Sequence, residues 1–192
     1  MKYNKNIVYR SYNFMEVQQK KRTYRKKEAK TESIYSGCLL TIPVVVNIKY
    51  VGKNTKSLLE KKIKSDIEGK CIVEGYVKTD SSKVISYSSG IVQGQNIRFD
   101  VMVQCDVCYP VEGATIQCKA VNITKAGIRG ESADESPSPF VCFVSREHHV
   151  NSQQFGNISE GDIFTCKVIG QRFELNDPYV SILGEIPIQI RK

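Results

Sequence analysis

Seven cysteines and two histidines are the residues of this chain best suited to metal or redox chemistry. The seven cysteines are odd in number and scattered along the chain, and most lie between apolar neighbours, as in Val141-Cys142-Phe143. Small buried side chains in a reducing compartment show this pattern, whereas secreted disulfide frameworks use regular, even-numbered sets. We therefore expect free cysteines and no disulfide framework.

The one CxxC pair, Cys105 and Cys108, is the obvious place to look for a metal site. It has no second pair, and the two histidines of the chain are His148 and His149. The pair also lies in a strand-like run, where residues three apart point to opposite faces and cannot easily share one ion. The sequence therefore argues against zinc here and predicts no metal and no cofactor.

Recurring catalytic motifs are absent from the sequence. It contains no Gly-x-Ser-x-Gly, no phosphate-cradling Gly-Lys-Ser/Thr loop and no His-Glu-x-x-His. The two histidines are adjacent, which does not suit a triad, and the carboxylates are too dispersed to anchor a nuclease metal site. We therefore predict a noncatalytic protein.

The formal charge of +8 is concentrated at the N-terminus. Residues 1–33 carry ten Lys/Arg against three Glu, a net +7, whereas the remainder carries eighteen against seventeen acidic residues, a net +1. The sequence thus predicts a basic extension before a nearly neutral body. The extension is open to four interpretations: a solvated tail, a contact to nucleic acid, a docking arm or a nuclear import signal.

The distribution of apolar residues indicates where in the cell the protein is found. No run of eighteen apolar residues occurs, and the first residues include Lys2, Lys5 and Arg10 among polar neighbours. We therefore expect neither a membrane span nor a secretory signal, and an intracellular protein.

The first half of the body, residues 34–110, mixes strand and helix patterns. Leu39 to Ile48 is β-branched and contains Pro43, which predicts an edge strand, a strand start or a bulge. A helix follows, capped by Asn54 or Thr55 and stopped by Gly69, with a Glu60–Lys64 pair. Its predicted apolar face consists of Leu58, Leu59, Ile63 and Ile67. After a strand at 71–77 and a turn-rich stretch at 79–94, strict alternation over 97–107 predicts the clearest strand of the chain.

In the second half, residues 111–192, the predicted strands are shorter and follow one another more closely. Five strand candidates are separated by turn signals such as Lys125-Ala-Gly127, Glu160-Gly-Asp162 and Asn176-Asp-Pro178. The candidates are Ala114 to Val121, Gly127 to Glu131, Pro139 to Val144, Asp162 to Phe173 and Tyr179 to Ile186. The predicted fold is therefore α+β, mainly β: an antiparallel sheet with one helix, followed by a five-stranded OB-fold barrel.

An ordered set of short segments runs through both halves and resembles one protein family. The segments are Gly69-Lys-Cys71, Glu74-Gly-Tyr-Val77, Glu112-Gly-Ala-Thr-Ile116, Gly127-Ile-Arg-Gly-Glu131, Phe140-Val-Cys-Phe-Val144, Glu160-Gly-Asp162 and Leu183-Gly-Glu185. In this order they are similar to the stalk subunit of multisubunit RNA polymerases, the seventh subunit of eukaryotic polymerase II and the E-type subunit of archaea. The resemblance spans roughly residues 34–187 and leaves the basic extension outside.

The resemblance implies a division of labour between the halves. Residues 34–110 become a tip domain that docks to the polymerase core, with the loop from Ser82 to Gln95 inserted there. The implied core-docking residues are Gly75, Tyr76, Ser89, Gly90 and Gly94. Residues 111–192 become an OB-fold domain that meets nascent single-stranded RNA. A small helical stalk subunit is the further partner that the family implies.

Single-stranded RNA requires flat groups for base stacking and cations along the phosphates. Phe140 and Phe143 lie three apart on one predicted strand, so they face opposite ways and at most one can lie on the binding face; the alternative is that both belong to the core. We expect Phe140 in the core and Phe143 on the binding face. The full set of predicted RNA-binding residues is Lys119, Lys125, Arg129, Phe143, Arg146 and His149. Because the body is nearly neutral, the expected affinity is weak and largely independent of sequence.

Two other functions stay open at this point. One is a free-standing OB-fold RNA-binding protein of RNA processing or translation, and the other is an assembly protein whose barrel binds another protein. The source is open between nuclei, archaea and large DNA viruses. The Lys/Asn/Ile-rich composition and the basic extension favour a viral copy, which would place the protein in a viral factory or virion rather than the nucleus.

Overall fold

The computed structural model describes residues 33–149 and 153–187. The basic extension predicted at residues 1–33 lies, apart from Ser33, outside them. Strands predominate and form an antiparallel sheet and a closed five-stranded barrel, which confirms the predicted α+β, mainly β class. Among the described residues, no helix is long and apolar enough to cross a membrane.

One long strand, β6 (Asn96–Cys108), organises the first sheet. Along one edge it pairs over its whole length with antiparallel β1 (Tyr35–Asn47). Along the other edge it pairs in turn with three short strands, and a fourth extends the sheet. The short strands are β2 (Cys71–Ile72), β3 (Gly75–Val77), β4 (Lys83–Tyr87) and β5 (Ile91–Gln93).

The alternation predicted over 97–107 is confirmed, because its odd-numbered residues point to the covered face of the sheet. Phe99, Val101 and Val103 are buried there. Helix α1 (Thr55–Ile67) covers this face and buries Leu59, Ile63 and Ile67 against it. Pro43 lies in β1, which is an edge strand. Its missing N–H therefore does not remove a hydrogen bond from the interior of the sheet.

The turn-rich interpretation of residues 79–94 needs correction. Half of this stretch forms β4 and β5, which pair with β6, and the other half forms the turns and loops around them. A thirteen-residue strand such as β6 has backbone N–H and C=O groups along both edges that need hydrogen-bond partners. A neighbouring segment that runs alongside β6 therefore pairs with it as a strand. The loop that was expected from Ser82 to Gln95 is therefore a pair of strands with exposed turns.

Details at the helix also differ from prediction. Lys64 pairs with Asp80 at 3.2 Å rather than with Glu60, while Lys62 and Asp66 form the i,i+4 pair at 3.0 Å. Asn54 makes no side-chain cap hydrogen bond, and the Thr55 hydroxyl donates to the Gly52 carbonyl instead. Lys64 finds its partner sixteen residues later in the chain, and Thr55 finds its partner three residues earlier, so neither contact belongs to the patterns used for prediction.

The barrel contains five strands in the closed order β7-β8-β9-β11-β10. The strands are β7 (Thr115–Ile123), β8 (Gly127–Ser132), β9 (Phe140–Ser145), β10 (Ile163–Arg172) and β11 (Val180–Glu185). The pair β9 and β11 is parallel and the other pairs are antiparallel. A 3-10 turn (Arg146–His149) and the short helix α2 (Gln153–Gly156) lie between β9 and β10. This is the Greek-key arrangement of an OB fold.

The sheet and the barrel share a core. Cys71, Tyr76 and Cys108, from three strands of the sheet, are buried in the same apolar cluster as the barrel interior. Backbone bonds link Cys71 to the β10–β11 loop, since its N–H donates to Asp177 and its carbonyl accepts from Asn176, both at 2.8 Å. Burial raises the pKa of the Cys108 thiol to about 12, which keeps it protonated and inert near neutral pH.

We expect Tyr76→Ala to lower the free energy of unfolding by about 3–5 kcal/mol, because it removes a large buried ring from the shared core. Urea denaturation should show one transition for the wild type and the variant, since both halves depend on that core. The control Tyr50→Ala, at a ring that is 72% exposed, should change stability by less than about 0.5 kcal/mol. Separate wild-type transitions for the two halves would contradict this account.

Candidate nucleic-acid interface

The outer face of the barrel at β8 and β9 carries an exposed aromatic ring. Phe143 is 38% exposed, whereas Phe140 is fully buried, so the prediction that they face opposite ways is confirmed. Arg129 lies directly opposite Phe143 on β8, and Leu183 lies opposite it on β11. A row of one cation, one ring and one aliphatic side chain therefore crosses three strands.

Gly127 shapes this face at the start of β8. A Cβ on this residue would overlap the Val144 carbonyl oxygen and would lie 3.0 Å from Cζ of Phe143. The missing side chain thus allows β9 to approach closely and the Phe143 ring to lean over β8. Sequence reasoning used Gly127 as a turn signal and did not foresee this role.

A cleft of about 570 Å³ opens beside Phe143 and brings four predicted residues together, Lys125, Phe143, Arg146 and His149. Lys125, in the β7–β8 loop, and Arg146, after β9, line it together with the ring. The Arg146 side chain donates to the carbonyls of Lys125 at 2.9 Å and Thr124 at 3.3 Å. These bonds hold the guanidinium group beside the β7–β8 loop. In OB folds, the corresponding loop and the neighbouring strand face bind oligonucleotides.

Phe155 of α2 also lines the cleft and was not foreseen from the sequence. The Arg146 guanidinium lies 5.1 Å from the centre of its ring, within cation–π distance. Phe155 is buried. The only sequence signal was an aromatic residue isolated in a polar segment.

Lys119 and Arg129 lie on the same face but beside an acidic neighbour. Arg129 pairs with Glu131 at 3.5 Å, and Lys119 lies opposite Glu131 in the β7–β8 register. Their positive charge is thus partly balanced locally. The face is a mixed surface with cations, not a uniformly basic track.

The prediction that His149 stacks on a base needs correction. Its ring is buried and stacks on Phe155 with centroids 5.3 Å apart. Nδ1 lies 2.8 Å from the Ser145 carbonyl, and Nε2 accepts from the Ile186 N–H at 2.9 Å. His149 therefore joins the end of β9 to the end of β11, and it lines the cleft at a buried position with one ring face covered by Phe155.

The predicted docking residues separate into two groups. Gly75 and Tyr76 are buried, and Tyr76 belongs to the core shared with the barrel, so neither can form an exposed docking surface. Ser89, Gly90 and Gly94 lie in exposed turns beside β5. Ile91 and Val92, which sequence analysis missed, are 57% and 64% exposed between them.

A separate set of residues that bear on chemistry lies inside the barrel. Cys118, Cys142 and Cys166 are fully buried on three different strands, and their sulfur atoms all lie within 4.8 Å of one another. A hydrogen bond from Cys118 lowers the pKa of the Cys166 thiol, and the pKa of Cys118 is raised. Neighbouring cysteines of this set are 24 residues apart in the sequence, which matches no metal-binding motif that could have predicted the cluster.

No protein-family model matches this chain, and no curated protein matches it either. What the geometry defines is a barrel of the OB type with a mixed cationic and aromatic face.

Gly127→Ala should destabilise the barrel by about 1–3 kcal/mol, because the added Cβ overlaps backbone that cannot move away freely. Chemical denaturation measures this difference. The control Gly52→Ala adds the same group where nothing lies within 4 Å, and it should be close to neutral. Equal stability of the two variants would show that the close approach of β8 and β9 is not as described.

Proposed function

We propose that this protein is a noncatalytic subunit of a multisubunit DNA-dependent RNA polymerase. It docks to the large subunits through the sheet that carries α1, and it offers the β8–β9 face of its barrel to nascent single-stranded RNA. The proposal is supported by the resemblance of the segment order to polymerase stalk subunits, together with a barrel of the OB type fixed to a second sheet.

The observation that carries the RNA contact is the cluster of Phe143, Arg146 and Lys125 around one open cleft. An exposed ring provides a stacking platform for a base, and two cations within the same cleft suit the phosphates on either side of it. The cleft lies where the end of β9 meets the β7–β8 loop and α2, beside the outer strand face that carries Phe143.

The charge of the barrel indicates how such a contact would work. Lys167 pairs with Glu185 at 2.8 Å and Arg129 pairs with Glu131, so several cations are already balanced. Affinity for free RNA should therefore be modest and sensitive to salt. Docking to the enzyme that makes the RNA raises the effective concentration of RNA at the barrel and makes a modest contact sufficient.

The turns around β5 are the proposed docking surface. Ile91 and Val92 are exposed apolar residues on a three-residue strand at the edge of the sheet. Two adjacent exposed apolar residues at a sheet edge suit a protein contact. The shared core then holds the barrel at a fixed position relative to the docked sheet.

Phe143→Ala should weaken retention of single-stranded RNA by about tenfold, the effect expected from one lost base stack. Filter binding of a labelled oligonucleotide at low salt measures this loss. The control Tyr50→Ala removes an exposed ring from the other sheet and should leave retention unchanged. If Phe143→Ala binds RNA as the wild type does, the face is not an RNA site.

The same assay tests the cations. Lys119, Lys125 and Arg129 changed together to Ala should reduce both retention and its salt dependence. Lys53, Lys56 and Lys61 changed together to Ala remove equal charge around α1 and serve as the control. Equal retention by the two triple variants would favour the assembly function over the RNA contact.

Recovery of the tagged chain from its native source tests the polymerase contact. Large polymerase subunits should copurify with the wild type and be lost when Ile91 and Val92 are both changed to Asp, because the exposed apolar contact is then charged. That double variant should still retain RNA. The control Leu175→Asp, at a residue equally exposed on the barrel, should keep the polymerase. Absence of polymerase subunits from the wild-type preparation would overturn the proposal.

A further inference from the structure

Every strand of the barrel contributes either a cysteine or a glycine to one region of its interior. The cysteines are Cys118, Cys142 and Cys166 on β7, β9 and β10, and the glycines are Gly130 and Gly184 on β8 and β11. A Cβ on Gly184 would overlap the Cys166 sulfur and would lie 3.2 Å from the Cys142 sulfur. The glycine therefore makes the space that the sulfur atoms occupy.

The sulfur positions suit a shared ligand better than they suit packing. The Cys142 and Cys166 sulfurs are 3.0 Å apart, closer than the ~3.5–4.0 Å that is optimal even for smaller carbon atoms. Three sulfur ligands around one metal ion, with bonds of about 2.3 Å, stand about 4 Å from each other. Because all three sulfurs already lie within 4.8 Å, shifts of about 1 Å bring them to that geometry.

We propose that Cys118, Cys142 and Cys166 bind one soft, thiophilic metal ion of the class of Cu(I). The site has three sulfur donors from three strands, and among the described residues no histidine, carboxylate or further cysteine joins them. Structural Zn(II) sites are nearly always four-coordinate, whereas Cu(I) is selected by soft sulfur ligands and accepts three. The proposal depends on the barrel interior alone and not on the RNA contact.

Loading occurs as the chain folds, because the finished barrel buries all three sulfurs completely. Two of the sulfurs bind as thiolates and the third as a neutral thiol, so two thiol protons leave to solvent and no electron is transferred. An ion held by two thiolates and one thiol leaves a single negative charge in the core, which limits the cost of burying charge. The bound ion would tie three of the five strands together.

The test uses the full chain, unfolded in denaturant under reducing, oxygen-free conditions and refolded with Cu(I) or with Zn(II). After removal of free metal, elemental analysis should find one Cu(I) per wild-type chain, which a chromophoric Cu(I) chelator removes slowly. The thermal midpoint of the Cu(I)-loaded protein should exceed that of the metal-free protein. Wild type that refolds and retains no Cu(I), or that retains Zn(II) instead, overturns the proposal.

Variants locate the ion. Cys142→Ala should lose it, whereas Cys105→Ala, at an equally buried cysteine of the other sheet, should keep it. Gly184→Ala keeps all three thiols but takes the space of one sulfur, so it should also lose the ion. Circular dichroism checks that each variant is folded. Retention of one ion by folded Cys142→Ala would overturn the assignment, and the wild-type measurement stands whether or not the variants fold.

Discussion

Tyr76 and Cys108 lie opposite each other on β3 and β6, and both are buried in the core of the barrel rather than in the core under α1. Strand β6 thus serves two cores, one along most of its length and the other at its last residue. Tyr35 of β1 pairs with the same cysteine from the other side and packs against this cluster. Without these buried side chains, the sheet and the barrel would keep only the loop after β6, the backbone bonds at Cys71 and the Lys78–Glu135 ion pair as connections.

The shared core explains how a nearly neutral barrel can have a role in RNA contact. Around the junction, Lys78 bonds to Glu135 at 2.8 Å and lies over the Tyr35 ring at 4.6 Å, which ties the β8–β9 loop to the sheet. A barrel held in this way does not need high affinity of its own, because its position is set by whatever binds the sheet. The function of the Phe143 face therefore depends on residues far from it.

Features with a local signal were predictable from the sequence. The alternation over 97–107 specified β6 and its buried face, and turn signals placed the five barrel strands. Long-range features were not predictable. Strands β4 and β5 form because β6 offers an edge, His149 is buried against Phe155 and bonds to Ile186, and Tyr76 belongs to a core formed mainly by the barrel. The three barrel cysteines come together because of the way the strands are arranged in the barrel. No sequence motif predicts this arrangement.

The central claim is that the β8–β9 face meets nascent RNA while the sheet is docked. Site-specific photo-crosslinking tests it most directly, with p-benzoylphenylalanine in place of Phe143 in a polymerase preparation that is extending labelled RNA. The account predicts that this position crosslinks to the transcript, and that the same probe in place of Leu175, on the β10–β11 loop, does not. A transcript that crosslinks equally at both positions, or at neither while transcription proceeds, would contradict it.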